Sequence, residues 1–163
     1  MIRVQREDFD VGKEIAALSE GRRDIGGVCC FVGLVREFVG EPGAGGAKVG
    51  AMTLEHYPGM TEKRLAEIDA EARRRWPLAA SLIVHRHGRL EPGDRIVLVV
   101  TASAHREAAF EACHFLIDWL KTKAPFWKLE DTEHGAQWVA ARDSDDKAAE
   151  RWIEHKDSAE KAK

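Results

Sequence analysis

The sequence has few cysteines and no long apolar run. No stretch approaches the roughly 20 apolar residues that span a bilayer. The opening residues, MIRVQREDFD, contain no apolar segment of the signal-peptide kind. The three cysteines are odd in number and show no CxxC spacing, which is typical of reduced thiols. We therefore expect a cytoplasmic protein that does not bind membranes.

The chain also lacks a large excess of charge of either sign. Its 25 Lys and Arg residues against 28 Asp and Glu residues give a net charge of -3. This balance provides no general attraction to nucleic acid, so we expect no nucleic-acid partner. The glycine-rich segment 38–50 contains no GxxxxGK[ST] motif and is predicted to be a flexible surface loop instead of a phosphate-binding loop. Any bound anion must therefore meet a local cluster of cations.

The remaining sequence is typical of one globular domain. It has 163 residues, of which 44% are hydrophobic and 33% are charged. Helical and β-like segments alternate without a regular βαβ rhythm, and neither a linker nor an internal repeat divides the chain. We predict a single domain over residues 1–163 of the α+β class, with mostly antiparallel sheets and helices packed on them.

Local patterns place the elements. Asp10 is the predicted N-cap of a helix over 11–20, and Leu65, Ile68, Ala72 and Trp76 mark the apolar face of a second helix. Phe110, Cys113, Ile117 and Leu120 mark the face of a third. Strands are predicted at the N-terminus, over 26–37 as a buried strand, and over 51–57. Hairpins are predicted over 80–103 and 126–142, and from 144 to 163 a charged tail forms a helix that frays.

The third helix begins with an unusual arrangement of charge. With Ser103 as its N-cap, His105 and Arg106 fall in the first turn, where cations oppose the helix dipole at a cost of up to about 1 kcal/mol. Backbone N–H groups together with these two cations would suit a docked anion such as phosphate. Both side chains could equally point into water, and this feature alone does not decide between the two interpretations.

The third helix ends at the segment LKTKAPFWKLE, residues 120–130. Lys121 lies where a cation complements the helix dipole, which by itself explains the residue. Lys128 follows Phe126 and Trp127, and strand alternation places it on the side of Phe126. An amine partly enclosed by aromatic rings can have its pKa lowered, and so become a proton acceptor or nucleophile. The alternative is an exposed strand lysine whose stem passes an aromatic ring.

Several motifs together resemble one enzyme family. FVGLVRE, LEHYPGMTE, HRHGRLEPGD, AHREAAFEACHFLIDWLKTKAPFWKLE and QWVAAR are similar, in the same order, to the large, catalytic subunit of molybdopterin synthase. The resemblance extends from about Cys30 to Arg142, and LKTKAPFWK is its most specific part. It implies the α/β-hammerhead-type fold of these subunits.

The resemblance implies a reaction and partners. Such subunits are sulfurtransferases that convert cyclic pyranopterin monophosphate into molybdopterin, in molybdenum cofactor biosynthesis. Each of two sulfurs arrives as a thiocarboxylate on the C-terminal Gly-Gly of a small ubiquitin-like subunit. The assembly is a heterotetramer built on a homodimer of the large subunit. We expect neither a metal nor an organic cofactor.

The resemblance also assigns residues. Lys121 and Lys128 match the essential lysines and are the predicted catalytic pair. The predicted substrate-binding residues are Arg36, His105, Arg106 and Arg142, which would hold the cyclic phosphate. The division of work between the two lysines, the order of the sulfur additions, and the residues supplied by a second copy are left open.

Three rival interpretations deserve a test. A persulfide sulfurtransferase could use Cys29, Cys30 or Cys113, although their apolar surroundings favour core packing. Zinc could bind His85 and His87, which share a strand face, but no third ligand stands at a suitable spacing. A scaffold could merely dock a ubiquitin-like tail, yet the chain carries more cations than one carboxylate requires.

Overall fold

The computed structural model describes residues 1–38, 47–139 and 147–153. The named elements, in chain order, are β1 (Ile2–Gln5), α1 (Val11–Ser19), β2 (Gly27–Leu34), β3 (Val49–His56), α2 (Met60–Arg75), β4 (Leu78–Arg86), β5 (Gly88–Leu90), β6 (Arg95–Ser103), α3 (Arg106–Lys123), β7 (Phe126–Thr132) and β8 (Gly135–Val139). Residues 147–153 form a further short helix. None of the described helices is long and apolar enough to cross a membrane.

The strands form two four-stranded sheets. Their orders are β1-β4-β6-β2 and β5-β3-β7-β8, which we call the first and second sheet. β1 runs parallel to β4, while the other pairs of named strands are antiparallel. The predicted α+β class with mostly antiparallel pairing is confirmed.

The first sheet carries the main core because its central strands are covered on both faces. Ile83 and Val99 point toward α2 and α3, where they join a buried cluster with Phe115. Their neighbours Val84 and Val100 point the other way, toward Phe9 and α1. Each such side chain contributes roughly 1.5–3 kcal/mol on burial. The predicted apolar face of α2 is confirmed, since Leu65, Ile68 and Ala72 are buried.

The second sheet has a smaller core. Val35, Met52, Leu54 and Leu90 form its buried cluster. Trp127 and Trp138 remain 51% and 58% exposed. This sheet therefore combines a thin apolar core with substantial exposed surface.

Two predictions about burial are wrong. The segment 26–37 was expected to be a buried strand, but β2 is the last strand of its sheet, and Phe31 and Leu34 are 39% and 53% exposed. Phe110 was expected on the buried face of α3, yet it is 61% exposed. Cys113 and Leu120 on that helix are buried as predicted. Both errors involve apolar residues that this chain leaves uncovered.

The predicted hairpins are confirmed, with one addition. β4 and β6 pair as expected, and Gly93, at a φ of 92°, lies in the turn before β6. The intervening β5 instead pairs with β3 in the second sheet. β7 and β8 form the second hairpin, closed at Gly135. The two sheets are thus linked through the β4–β6 connection.

The loop and the tail are described only in part. Phe38 and Lys48 form an isolated bridge at the base of the predicted loop 38–50, whose residues 39–46 lie outside the described ranges. In the predicted tail, the helix at 147–153 packs on α3: the Trp152 indole N–H donates to Asp118 at 2.8 Å, and its ring meets Phe115 edge-on. This part of the tail is anchored to the core.

Candidate functional site

The N-terminus of α3 differs from the prediction by a few residues. Ser103 is not its N-cap, because Ser103 still belongs to β6, where its hydroxyl donates to the Pro77 carbonyl at 2.8 Å. The N-cap is His105, without a side-chain capping bond, and Arg106 is the first helical residue. His105 and Arg106 are both exposed. The start of the helix thus presents His105 and Arg106 together with the acidic Glu107, and it has no side-chain cap.

The C-terminus of α3 leads directly into β7 through a tight corner, residues 124–126. Ala124 is the C-cap, and the Phe126 N–H donates to the Ala124 carbonyl at 2.9 Å across Pro125. This is a three-residue turn, and the fixed φ of proline suits its central position. Lys121 lies in the last turn of α3 on one side of the corner, and Lys128 lies in β7 on the other.

Lys128 lies on the inner side of the second sheet, as the alternation predicted. Its side chain is 29% exposed, whereas the neighbouring Trp127 is 51% exposed. The Lys128 ammonium is 2.6 Å from the carboxylate of Glu130, which is only 8% exposed. The sequence analysis missed Glu130, although residues two apart in a strand share a face. A carboxylate of such low exposure fixes the position of the amine beside it.

One chain does not bring all the predicted cations together. β2 runs antiparallel to β6, with Gly27 opposite Ser103 and Leu34 opposite Arg95. Arg36 therefore follows the end of β2 that lies roughly 25 Å from the start of α3, at about 3.3 Å per strand residue. α3 starts beside Gly27 at one end of β2. The corner after α3 reaches the other end of the sheet, because Phe126 stacks on His85, which lies opposite Val97. The C-terminal end of α3 therefore returns toward Arg36.

Arg36, Lys121 and Lys128 thus lie toward one end of the first sheet, and His105 and Arg106 lie at the other. Along α3 alone, Arg106 and Lys121 are separated by roughly 22 Å, at about 1.5 Å per helical residue. Arg142, the remaining predicted substrate-binding residue, lies outside the described residues.

A cavity of about 330 Å³ adjoins the Lys128–Glu130 pair. Its lining comes mainly from the β7–β8 hairpin: Ala47, Glu130, Thr132, His134, Gln137, Trp138 and Val139. A larger cavity of about 470 Å³ lies at the start of α1, beside the Asp8–Arg95 ion pair. Neither cavity is lined by a predicted site residue, but the smaller one is lined by Glu130, the ion-pair partner of Lys128, and is therefore the better candidate for a reaction at Lys128.

Two of the three cysteines, Cys113 and Cys30, are poorly suited to act as nucleophiles. Cys113 is buried, and burial together with the neighbouring Cys29 raises the pKa of its thiol above the ordinary value. Burial likewise raises the pKa of Cys30, although this residue is exposed on β2 and does not pack in the core as predicted. Raised pKa values reduce the thiolate fraction that sulfur transfer would need.

The two histidines weighed as zinc ligands face different neighbours. The His85 ring lies on Phe126, and the His87 ring contacts His56 with centroids 4.4 Å apart. Within residues 1–38, 47–139 and 147–153, no three His, Cys, Asp or Glu side chains are grouped as metal ligands.

Comparison with known proteins identifies the family. A model of the family described as "MoaE protein" matches residues 4–123. The chain belongs to the MoaE family. Within this family, the molybdopterin synthase catalytic subunit of Pseudomonas aeruginosa is 58% identical over 94% of the chain and 99% of the relative. The resemblance expected from the sequence is therefore confirmed.

Solved MoaE-family structures share the fold. The molybdopterin biosynthesis MoaE protein of Burkholderia ambifaria is 53% identical, with a TM-score of 0.78, covering 93% of this chain and 97% of that one. A more distant likeness is to a Helicobacter pylori protein–protein complex of subunits 1 and 2 of molybdopterin-converting factor. Its identity is 20%, its TM-score is 0.68, and it covers 86% of this chain and 91% of that one. At this identity the likeness concerns the fold alone.

Proposed function

We propose that this MoaE-family protein is the sulfurtransferase subunit that converts cyclic pyranopterin monophosphate into molybdopterin. The observation that carries the proposal is the corner between α3 and β7, which places Lys121 and Lys128 on either side of Pro125, with Lys128 held against Glu130 at 2.6 Å. The high identity to named catalytic subunits over nearly the whole chain supports the assignment.

In this proposal the sulfur donor is a small subunit that carries a C-terminal thiocarboxylate. The Pseudomonas aeruginosa relative is named a catalytic subunit, which supports an enzyme of more than one subunit. Lys128 is the amine nearest the reacting carbons and acts as an acid–base group or a transient covalent partner. Lys121 positions the thiocarboxylate or protonates the leaving oxygen. The free thiols support our placing of the reaction in the cytoplasm.

We further propose that two copies of the chain complete each site. Arg36 and the two lysines lie at one end of the first sheet. The other predicted phosphate-binding residues, His105 and Arg106, lie too far away in the same chain to act at this end. A second copy could supply its own His105 and Arg106, and Arg142 is a further candidate for the phosphate. The edge strand β2 supports association, because among the described strands it pairs only with β6 and it carries the exposed apolar residues Val28, Phe31 and Leu34.

The direct test is reconstitution. The purified protein, a thiocarboxylated small subunit and cyclic pyranopterin monophosphate should yield the dithiolene product, detected after conversion to a fluorescent derivative. Lys121→Ala and Lys128→Ala should each abolish most of the product. Retained product formation in both variants would refute the proposed site. Binding of pyranopterin without any turnover would instead support the scaffold interpretation.

A further inference from the structure

The corner at residues 124–126 is held by two side chains that come from elsewhere in the fold. The following inference rests on the proposed function, because it concerns how the catalytic lysines are positioned. Lys121 precedes the corner and Lys128 follows it, so a rotation of the corner would turn one amine relative to the other. The relevant question is what prevents that rotation.

Thr61 supplies the first restraint. It is fully buried in the first turn of α2. Its hydroxyl oxygen is 3.4 Å from the carbonyl oxygen of Pro125, to which it donates, and accepts from the Tyr57 N–H at 3.2 Å. A hydroxyl has one donor and can accept as well, so both interactions form together. Thr61 thereby ties the corner to the start of α2.

His85 supplies the second restraint. Its ring lies flat on Phe126, with centroids 3.7 Å apart and planes inclined by 15°. Its Nδ1 is 2.8 Å from the Arg86 carbonyl, which fixes the orientation of the ring. Burial lowers the pKa of His85 to about 4, so the imidazole is neutral near pH 7. His85 therefore provides a ring of fixed orientation on which Phe126, the first residue of β7, stacks.

We propose that Thr61 and His85 are positioning residues of the sulfur-transfer reaction: together they fix the corner and so direct Lys121 and Lys128 at one substrate. Neither residue needs to touch the substrate. Thr61 acts on the carbonyl of the turn, and His85 acts on the ring that follows it. A displacement of about 1 Å at a reacting group can cost as much as a hundredfold in rate, which gives such restraints catalytic weight.

The test uses a matched pair of threonines in the full-length protein assembled with its small subunit. Thr61→Val removes the restraint, and Thr61→Ser keeps the hydroxyl. Thr101→Val is the control, because Thr101 is also fully buried and its hydroxyl also donates to a backbone carbonyl, that of Ala109 at 2.7 Å. His85→Leu tests the second restraint independently. We would measure kcat, KM for pyranopterin, and the melting temperature of each variant.

A second readout does not depend on turnover. The reactivity of the Lys128 amine toward acetic anhydride, followed by mass spectrometry on the isolated protein, reports the surroundings of that amine. Thr61→Val should lower kcat about tenfold or more, leave KM within about twofold, and change the Lys128 reactivity. His85→Leu should do the same. Thr61→Ser should recover most of the turnover, and Thr101→Val should change only the melting temperature.

The opposite pattern would overturn the proposal. Thr61→Val and Thr101→Val with equal kcat would show that the Thr61 hydroxyl has only a structural role. Unchanged Lys128 reactivity in both Thr61→Val and His85→Leu would lead to the same conclusion. Failure of the proposed function would look different, because the wild-type protein itself would then give no turnover. Failure of the positioning role alone leaves Lys128→Ala inactive and Thr61→Val active.

Discussion

The two ends of α3 carry cations in different settings. At the C-terminal end, a proline turn leads into a strand, and Lys128 meets the nearly buried carboxylate of Glu130. At the N-terminal end, His105 and Arg106 are exposed on a helix without a side-chain cap. The first end is organised by its own chain, whereas the second presents charge outward. A site shared between two copies would combine the C-terminal end of α3 from one copy with the N-terminal end of α3 from the other.

The largest effect is expected at the organised end. Lys128→Ala should lower turnover at least about a hundredfold, because it removes both a proton-transfer group and a fixed positive charge. Lys123→Ala is the matched control, because Lys123 is an exposed lysine near the same corner, in the last turn of α3. This variant should stay near wild type. Product formation under saturating substrate measures both. Comparable losses in the two variants would mean that general charge, and no particular amine, matters.

The next effect concerns the pH dependence of stability at this end. The pKa of His85 is about 4 in the folded protein, and the ordinary value is 6.5, so between these values the unfolded chain binds the extra proton. The contribution of neutral His85 to the free energy of unfolding is complete above pH 6.5, and it is lost as the pH falls toward 4. At pH 5 the loss amounts to roughly 2 kcal/mol.

Urea unfolding at pH 7.5 and pH 5 measures this contribution. His85→Phe keeps an aromatic ring but cannot be protonated, so its free energy of unfolding should fall less between the two pH values than that of the wild type. An identical fall in both proteins would exclude His85 as the source.

A smaller effect is expected at the exposed end. Arg106→Ala should raise KM for pyranopterin about tenfold, because a charge-assisted hydrogen bond to phosphate is lost, while the fold is unaffected. Arg64→Ala on α2 is a suitable control, since Arg64 pairs only with Glu67 among the described ion pairs. A change in kcat without a change in KM would show that Arg106 does not bind the substrate before the reaction.

The smallest effect is expected from the thiols. Cys30→Ser should leave turnover within about twofold of wild type, because Cys30 has a raised pKa and no place in the proposed chemistry. The same assay with thiocarboxylated small subunit measures it. A large loss would revive the persulfide interpretation.

Much of the fold follows from local sequence patterns. The apolar spacing of Leu65, Ile68 and Ala72 predicted the buried face of α2, and Asp10 caps α1 as expected. The turn at Gly93 and the hairpin closed at Gly135 were also predicted from local sequence. These features depend on residues that are close in sequence.

The errors concern properties that depend on distant parts of the chain. The sequence of β2 resembles that of a buried strand, but its exposure is set by the strand order, which leaves it at an edge. A serine just before a helical pattern can cap the helix or end the preceding strand, and Ser103 does the latter. A single sequence does not reveal which apolar side chains remain exposed in the folded chain.

The site was predicted only in part, for similar reasons. The lysines and their proline corner are neighbours in sequence and were identified, whereas Thr61 and His85 reach the corner from α2 and β4. Glu130 was not predicted, because the predicted site consisted of lysine, arginine and histidine side chains. The separation between Arg36 and Arg106 depends on the pairing of β2 with β6 and on the position of Arg106 beside Gly27, at the opposite end of β2 from Arg36. Neither follows from local sequence.

Mixing two impaired variants tests most directly whether the site is shared between two copies. Lys128→Ala protein and Arg106→Ala protein, which is expected to keep about a tenth of the wild-type rate at low substrate concentration, would be unfolded together, refolded and assayed with the small subunit at that concentration. In a two-fold symmetric dimer, random pairing gives one intact site in each mixed dimer, so about a quarter of wild-type activity should return. If both residues served one site within a single chain, every site would lack one of them, and no activity would return.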